Sequence, residues 1–363
     1  MPSSSQTAGT PSIAAGRRPA DVLLAEVTRG AFVESEHHGA VALVFDDGRS
    51  WTAGDAQQPV WTRSAIKPFQ ALPLVESGAA ARLGLSDEEL ALCCASHDGT
   101  ASHVATARQL LARGGLVEEQ LGCGPHLPFD RAAALELARA GRRPERVHNN
   151  CSGKHAGFLL LAQSLGQSLA EYLDPQGLAQ MRVRAAVAEL VGLPPGSLDV
   201  ATDGCGAPTL RMPLTALAAG FCRLMNPRGL GSVREAACIR LRTAIQNAPV
   251  QLAGEGRLGT LLVRSAPGRV VPKNGAEGVY AVGGLLPGAG DGAARAFGLA
   301  IKVRDGAERG YFPVVIALLE GLGLWDGARA PAALADFAET PVRNTNQLTV
   351  GCVRLALEIP RSW

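Results

Sequence analysis

Three strings carrying serine and lysine follow one another along the 363 residues: Arg63-Ser64-Ala65-Ile66-Lys67, Ser96-His97-Asp98-Gly99-Thr100 and Lys273-Asn274-Gly275. A serine hydroxyl is a poor nucleophile until a neighbour takes its proton. A lysine can do so once burial or a nearby cation lowers its pKa. Ser64 and Lys67 lie three apart, so on a helix they share a face, and Arg63 and Lys273 are candidate cations beside them. Ser96 is a candidate to relay a proton to a leaving amine, with Lys273 holding Ser96 or a substrate carboxylate. Nucleophile with base, relay and cation are the parts of an acyl transfer. Each string also has a plainer reading. S-x-x-K is frequent by chance, Asp98-Gly99 makes a turn that Ser96 can cap, and Lys-Asn-Gly is a common turn. The ordered set is much harder to obtain by chance than any one member.

A second polar concentration runs from His148 to Gly157, reading HNNCSGKHAG, and a third is Thr202-Asp203-Gly204-Cys205-Gly206. Of the eight cysteines, Cys151 and Cys205 are the two set in polar loops, whereas Cys94, Cys222 and Cys352 sit in apolar runs that read as core. Two loop thiols with Lys154 or His155 nearby could bind zinc, but the spacing is not C-x-x-C. Spacing alone therefore favours two free thiols. Cys151 as a nucleophile with His148 or His155 as base is a further reading. His97 is the best-placed histidine for acid–base work, although a lone histidine is more often structural.

These residues need elements to position them. Val22–Val27, Ala31–Val33 and Ala40–Phe45 alternate or run apolar between turn residues, a β-meander signal. Helical spacing begins near residue 62. Ser86-Asp87-Glu88-Glu89 is a capping box, Ser102 reads as the cap of a helix running to Gly114, and Asp174-Pro175 as the start of one ending before Pro194-Pro195. Ser232-x-x-Glu235 opens another. Strand character returns after residue 258, a helix follows over 311–323, and Leu348–Leu357 reads as a last strand. The expected class is α+β: an antiparallel sheet from about 21–60 and 258–358, with a helical lobe of about 62–250 inserted. Residues 1–20 read as a disordered tail and 21–363 as a single domain.

Bulk properties narrow the function. Hydrophobic residues make up 47% and charged residues 19%, which suits a globular enzyme, and the net charge of +2 without a basic block disfavours nucleic acid. No apolar run approaches a membrane span, and no signal-peptide core precedes residue 21. The expectation is a cytoplasmic protein with reduced thiols, working as a homodimer on a small molecule without nucleic acid or membrane.

The three strings follow the order of motifs in serine β-lactamases and penicillin-binding proteins. With Cys123-Gly124-Pro125-His126, the 148–158 string, Asp203–Pro208 and Gly275–Tyr280, the chain resembles the bacterial L-asparaginase II family of the Rhizobium etli type, similar in fold to serine β-lactamases and glutaminases. The resemblance spans most of residues 22–355. It implies hydrolysis of L-asparagine to L-aspartate and ammonia through a Ser–Lys activated acyl-enzyme, with Ser64–Lys67 and Ser96–Lys273 as catalytic pairs. It also implies zinc on Cys151, Lys154 and Cys205, in place of two free thiols, and substrate contacts from Arg63, His155 and Asp203. A glutaminase, another S-x-x-K hydrolase of β-lactamase or esterase type, and a non-catalytic zinc- or amino-acid-binding protein are the alternatives. One departure from the expected pattern is Asn274, larger and more polar than the residue anticipated after Lys273.

Overall fold

The computed structural model describes residues 20–288, 294–326, 329–360 and 363. Most of the expected tail lies outside the described residues.

Both ends of the chain build one antiparallel sheet. Its strands are β1 (Val22–Arg29), β2 (Phe32–Phe45), β3 (Ser50–Ala53), β7 (Val270–Gly275), β8 (Val279–Leu286), β9 (Arg295–Val303), β10 (Thr340–Arg343) and β11 (Thr349–Leu355). The order is β10-β11-β1-β2-β9-β8-β7, with β3 paired to β2. β7 is therefore an edge strand. The α+β arrangement with its inserted helical lobe is the observed one.

A smaller sheet stands apart, with order β4 (Pro59–Trp61), β6 (Pro208–Pro213), β5 (Asp199–Thr202). Sequence patterning did not indicate it. A three-residue strand is too short to show alternation, and its partner β6 lies some 150 residues away, with Val60 opposite Met212.

The lobe is helical because its apolar residues bury on several sides. The Ser152–Ser164 helix is its axis: every residue from Ser152 to Ala162 is buried. Gly153 has no room for a side chain, since a Cβ there would stand 2.3 Å from the Leu92 carbonyl oxygen. Local signals place several ends. The Asp87–Cys93 helix has the expected capping box, with Glu89 N–H donating to Ser86 Oγ at 3.2 Å. Two starts differ from expectation. Thr100, not Ser102, caps the Ala101–Arg113 helix, because His103 Nδ1 accepts its N–H. Leu178, not Pro175, begins the Leu178–Val191 helix, because Asp174 is spent on a turn, accepting from Gln176 and Gly177. A helix over Leu258–Ser265 occupies the start of the span expected to be sheet.

Candidate active site

Ser64 sits in a 3-10 turn, Arg63–Ile66, that closes where Lys67 N–H donates to the Ser64 carbonyl. The turn is held from two sides. Thr62 donates from its N–H and its hydroxyl to the Leu210 carbonyl of β6, at 3.0 and 2.9 Å. On the other side Gly275 of β7 comes so close that a Cβ would stand 2.7 Å from the Thr62 carbonyl oxygen. Arg63 takes φ = 50°, a conformation costing a non-glycine residue roughly 1–3 kcal/mol. Ser64 thus follows a strained residue clamped between two sheets.

Ser96 lies in the loop after the Asp87–Cys93 helix. Its N–H donates to Leu252 O at 3.1 Å, and His97 N–H to Asn150 O at 3.3 Å. Asp98 meets Arg257 in a two-pronged ion pair at 2.6 and 2.8 Å. His97 is structural. Its Nδ1 accepts from Gly99 N–H at 3.1 Å, so its Nε2 carries the proton and donates to Ser152 Oγ at 2.9 Å. Burial, with His103 and Lys67 adding to it, holds His97 well below the usual imidazole range, so it is neutral.

Both lysines converge on Ser96. Lys67, fully buried, donates to Ala95 O, to Ser96 Oγ at 3.1 Å and to Cys151 Sγ at 3.2 Å. Lys273 Nζ lies 2.9 Å from Ser96 Oγ and 2.7 Å from both Asn274 O and Asn274 Oδ1. Lys67 has four acceptors, the fourth being Asn150 O at 3.5 Å, and Lys273 has three, so the electrostatics at Lys273 decide. A neutral Lys273 donates two N–H groups to Asn274 and accepts the Ser96 proton on its lone pair. Burial, then the charge of Lys67, keep Lys273 well below the ordinary lysine value. Asn274, the departure noted in the sequence, is what fixes this amine. The expected helical contact between Lys67 and Ser64 is not formed. Among the described residues Ser64 Oγ makes no hydrogen bond, because Lys67 turns into the buried seam lined by the Ala95 carbonyl.

The thiol cluster adjoins this chain. Cys151 precedes the Ser152–Ser164 helix, Lys154 is in its first turn, and the β5–β6 loop brings Asp203 and Cys205 to them. Lys154 Nζ lies 3.0 Å from Cys205 Sγ. The hydrogen bond from Cys205, then the charges of Lys67 and Lys154, pull Cys151 well below the usual thiol range, while that bond and burial push Cys205 up. Burial opposes the charge on Lys154, but the two cysteines and Asp203 outweigh it and raise its pKa. Among the described residues no three His, Cys, Asp or Glu side chains gather to hold a metal. Two soft thiols and one amine do meet here, and that donor set fits zinc if Lys154 gives up its proton.

Arg63 Nε donates to Asp203 Oδ1 at 2.6 Å, which joins the Ser64 turn to the thiol loop. His155 is buried. Its Nδ1 accepts from Tyr172 OH at 2.7 Å, the phenol itself accepting from Gly122 N–H at 2.6 Å, which leaves the His155 Nε2–H buried without a partner among the described residues. Tyr172 belongs to the site's framework, and no motif marked it; it acts through its contact with His155.

The sequence profile of the L-asparaginase II family matches residues 25–355. The chain belongs to the L-asparaginase II family. That family is one of amidohydrolases, consistent with a site built from hydroxyls and amines. No curated protein matches this family member. Among solved structures, Mglu in its tris and glutamate form aligns at 17% identity and TM-score 0.42, covering 80% of this chain and 60% of that one. The carbapenemase VCC-1 from Vibrio cholerae aligns at 12% and 0.36 over 74% and 87%. A covalent complex of the Bacillus subtilis glutaminase YbgJ with 5-oxo-L-norleucine aligns at 11% and 0.29 over 72% and 79%. The chain spans about three fifths of the length of Mglu. These distant likenesses carry no weight for its chemistry. No helix among the described residues is long and apolar enough to cross a membrane.

Proposed function

We propose that this asparaginase-family protein hydrolyses L-asparagine to L-aspartate and ammonia through an acyl-enzyme on Ser64. The observation that carries the reading is the buried run Lys67–Ser96–Lys273, in which two amines share one hydroxyl at 3.1 and 2.9 Å. Moving one proton along that run, from Lys67 through Ser96 to Lys273, leaves Lys67 a free amine three residues from Ser64. Lys67 then has to swing from the Ala95 seam to Ser64, where it takes the proton as the serine oxygen attacks the side-chain carbonyl. Ser96 hands a proton to the departing nitrogen, and a water hydrolyses the ester. The backbone N–H of Ser64 donates to the oxyanion. Ser64 is the attacking serine because its oxygen is uncommitted, whereas the Ser96 oxygen is tied between two amines. Arg63, Asp203 and His155 hold the charged head of the amino acid. Cys151, Lys154 and Cys205 are the residues that would hold zinc, which would add positive charge to orient the amino acid.

The test is ammonia release from L-asparagine and L-glutamine, with covalent capture by an asparagine analogue bearing a diazoketone in place of the amide. Asparagine cleaved in preference, with the adduct on the Ser64 peptide and none in Ser64→Ala, is the expected result. An adduct on Ser96 would exchange the roles of the two serines. Comparable cleavage of glutamine would widen the substrate, since one methylene is worth only about 1–3 kcal/mol.

A further inference from the structure

Beyond Ser96 and Lys273 lies a cavity of about 220 Å³. A molecule the size of water or ammonia needs only about 10–15 Å³ of such space. The cavity is lined by Ser96 and Lys273, and its walls include Tyr280, Tyr311, Phe312 and Phe337. Ser64, Arg63 and Asp203 do not line it. The groups read as holding the amino-acid head are therefore elsewhere. What borders the cavity is the pair that delivers a proton to the leaving nitrogen.

Two features give the cavity its chemistry. Tyr280, 2% exposed, has a hydroxyl with no hydrogen-bond partner among the described residues, an arrangement that is costly in an empty protein interior. Among the described residues that line it, Lys273 is taken by Ser96 and Asn274. Arg257 is taken by Asp98 at 2.6 and 2.8 Å, and Glu308 adds a further carboxylate. Aromatic walls, one spare hydroxyl and an acidic balance suit a neutral or basic amine and disfavour one carrying a carboxylate.

We propose that the enzyme also hydrolyses secondary side-chain amides, namely N4-alkyl and N4-aralkyl asparagines, releasing L-aspartate and a primary amine that departs through this cavity. The steps balance as for asparagine. The Ser64 oxygen bonds to the carbonyl carbon, and the C–N bond breaks. The amine leaves with the proton that Ser64 gave to Lys67, delivered through Ser96. Water then cleaves the ester. The proposal rests on the amidase reading above and assigns its leaving-group subsite.

Gly259, in the second position of the Leu258–Ser265 helix, offers the means to test it. A Cβ there would meet only Pro272 Cγ at 3.8 Å, Tyr280 OH at 3.9 Å and Ala253 Cβ at 4.0 Å, all ordinary contacts. Gly259→Leu therefore fills the cavity from its wall without clash at Cβ and replaces a glycine inside a helix, which favours folding. Aspartate and amine release would be followed for L-asparagine, N4-ethyl-L-asparagine, N4-benzyl-L-asparagine and β-aspartyl-alanine. We expect kcat/KM for the N4-ethyl compound within about tenfold of asparagine, and β-aspartyl-alanine at least about tenfold below it. In Gly259→Leu the ratio of kcat/KM for the N4-benzyl compound to that for asparagine should fall by about tenfold or more. Cleavage of asparagine with no detectable cleavage of either N4-substituted compound would overturn the proposal and leave the amidase standing. So would a ratio that Gly259→Leu does not move. Failure to cleave any of the four would overturn both readings.

Discussion

At the scale of single residues, the protonation of Lys273 is the point on which the chemistry turns. A buried amine with a depressed pKa is a base in the folded protein and an ordinary ammonium in the unfolded one. Between the folded value and 10.5 the unfolded chain binds more protons, so stability rises with pH through that window, and the cost of burying Lys273 is fullest below it. Lys273→Met keeps the volume and removes that cost. We expect the variant to lose activity by roughly 10²- to 10⁴-fold, as for loss of a general acid–base group. We expect it also to unfold at higher urea than the wild type, by a margin that grows as pH falls. A merely structural Lys273 would lose stability at every pH. Lys154 is the opposite case. Its pKa is raised, so zinc must displace a firmly held proton. We expect zinc affinity to rise with pH, one zinc to be taken up per chain, and Cys151→Ser and Cys205→Ser each to lose it, as read by a competing chelator. Retention of stoichiometric zinc by Cys205→Ser would remove that residue from the ligand set.

At the scale of elements, the site depends on how closely two backbones approach. Gly275 on edge strand β7 leaves no room for a Cβ against the Thr62 carbonyl oxygen, and its other near neighbours are Val279 Cβ at 3.1 Å and the backbone Ala65 N at 3.2 Å. The two backbone atoms of the turn cannot swing aside, so Gly275→Ala has to push the Arg63–Ile66 turn away from β7. We expect stability to fall by about 1–3 kcal/mol and kcat/KM by more than about tenfold, because Ser64 rides on the turn while Lys273 stays on the strand. Unchanged kinetics in a destabilised variant would show that the register between turn and strand does not matter. Lys273-Asn274-Gly275 was legible as a turn or as the cation's string, but not the backbone of Thr62 and Ala65 against which Gly275 packs. The same division runs through the elements. Ser86-x-x-Glu89 is a local signal, and the helix starts there. Asp174-Pro175 carries the same kind of signal, yet its carboxylate is used by a turn. Lys67 shows the limit most plainly. Spacing places it on the face of Ser64, but a buried amine goes where its N–H groups find acceptors. Those are a carbonyl, a hydroxyl and a thiol from residues 95, 96 and 151.

At the scale of the whole molecule, the chain ends and the chain middle are folded together. β1 pairs with β11, and β2 with β9, across hundreds of residues. The Leu214–Met225 helix of the lobe packs against β9, where a Cβ on Gly298 would stand 1.8 Å from the Ala218 carbonyl oxygen. One hydrophobic cluster runs without interruption from Leu24 and Leu43 in the sheet to Phe158 and Val187 in the lobe. The catalytic run crosses the same boundary, with Lys273 from the sheet and Lys67 and Ser96 from the lobe. Such a layout gives neither part a core of its own, so they should be lost together. We expect urea unfolding followed by far-ultraviolet circular dichroism and by tryptophan fluorescence to give coincident single transitions, with activity falling in step. Trp51 lies in the sheet, Trp61 in the small sheet of the lobe and Trp325 after the Phe312–Gly321 helix, so fluorescence samples both parts. Two separated transitions would mean that the lobe holds its fold without the sheet. The site would then be assembled by docking rather than by folding. Slow refolding is the corollary of the single transition, because β1–β11 and β2–β9 pairing has to close most of the chain before the shared core rewards it.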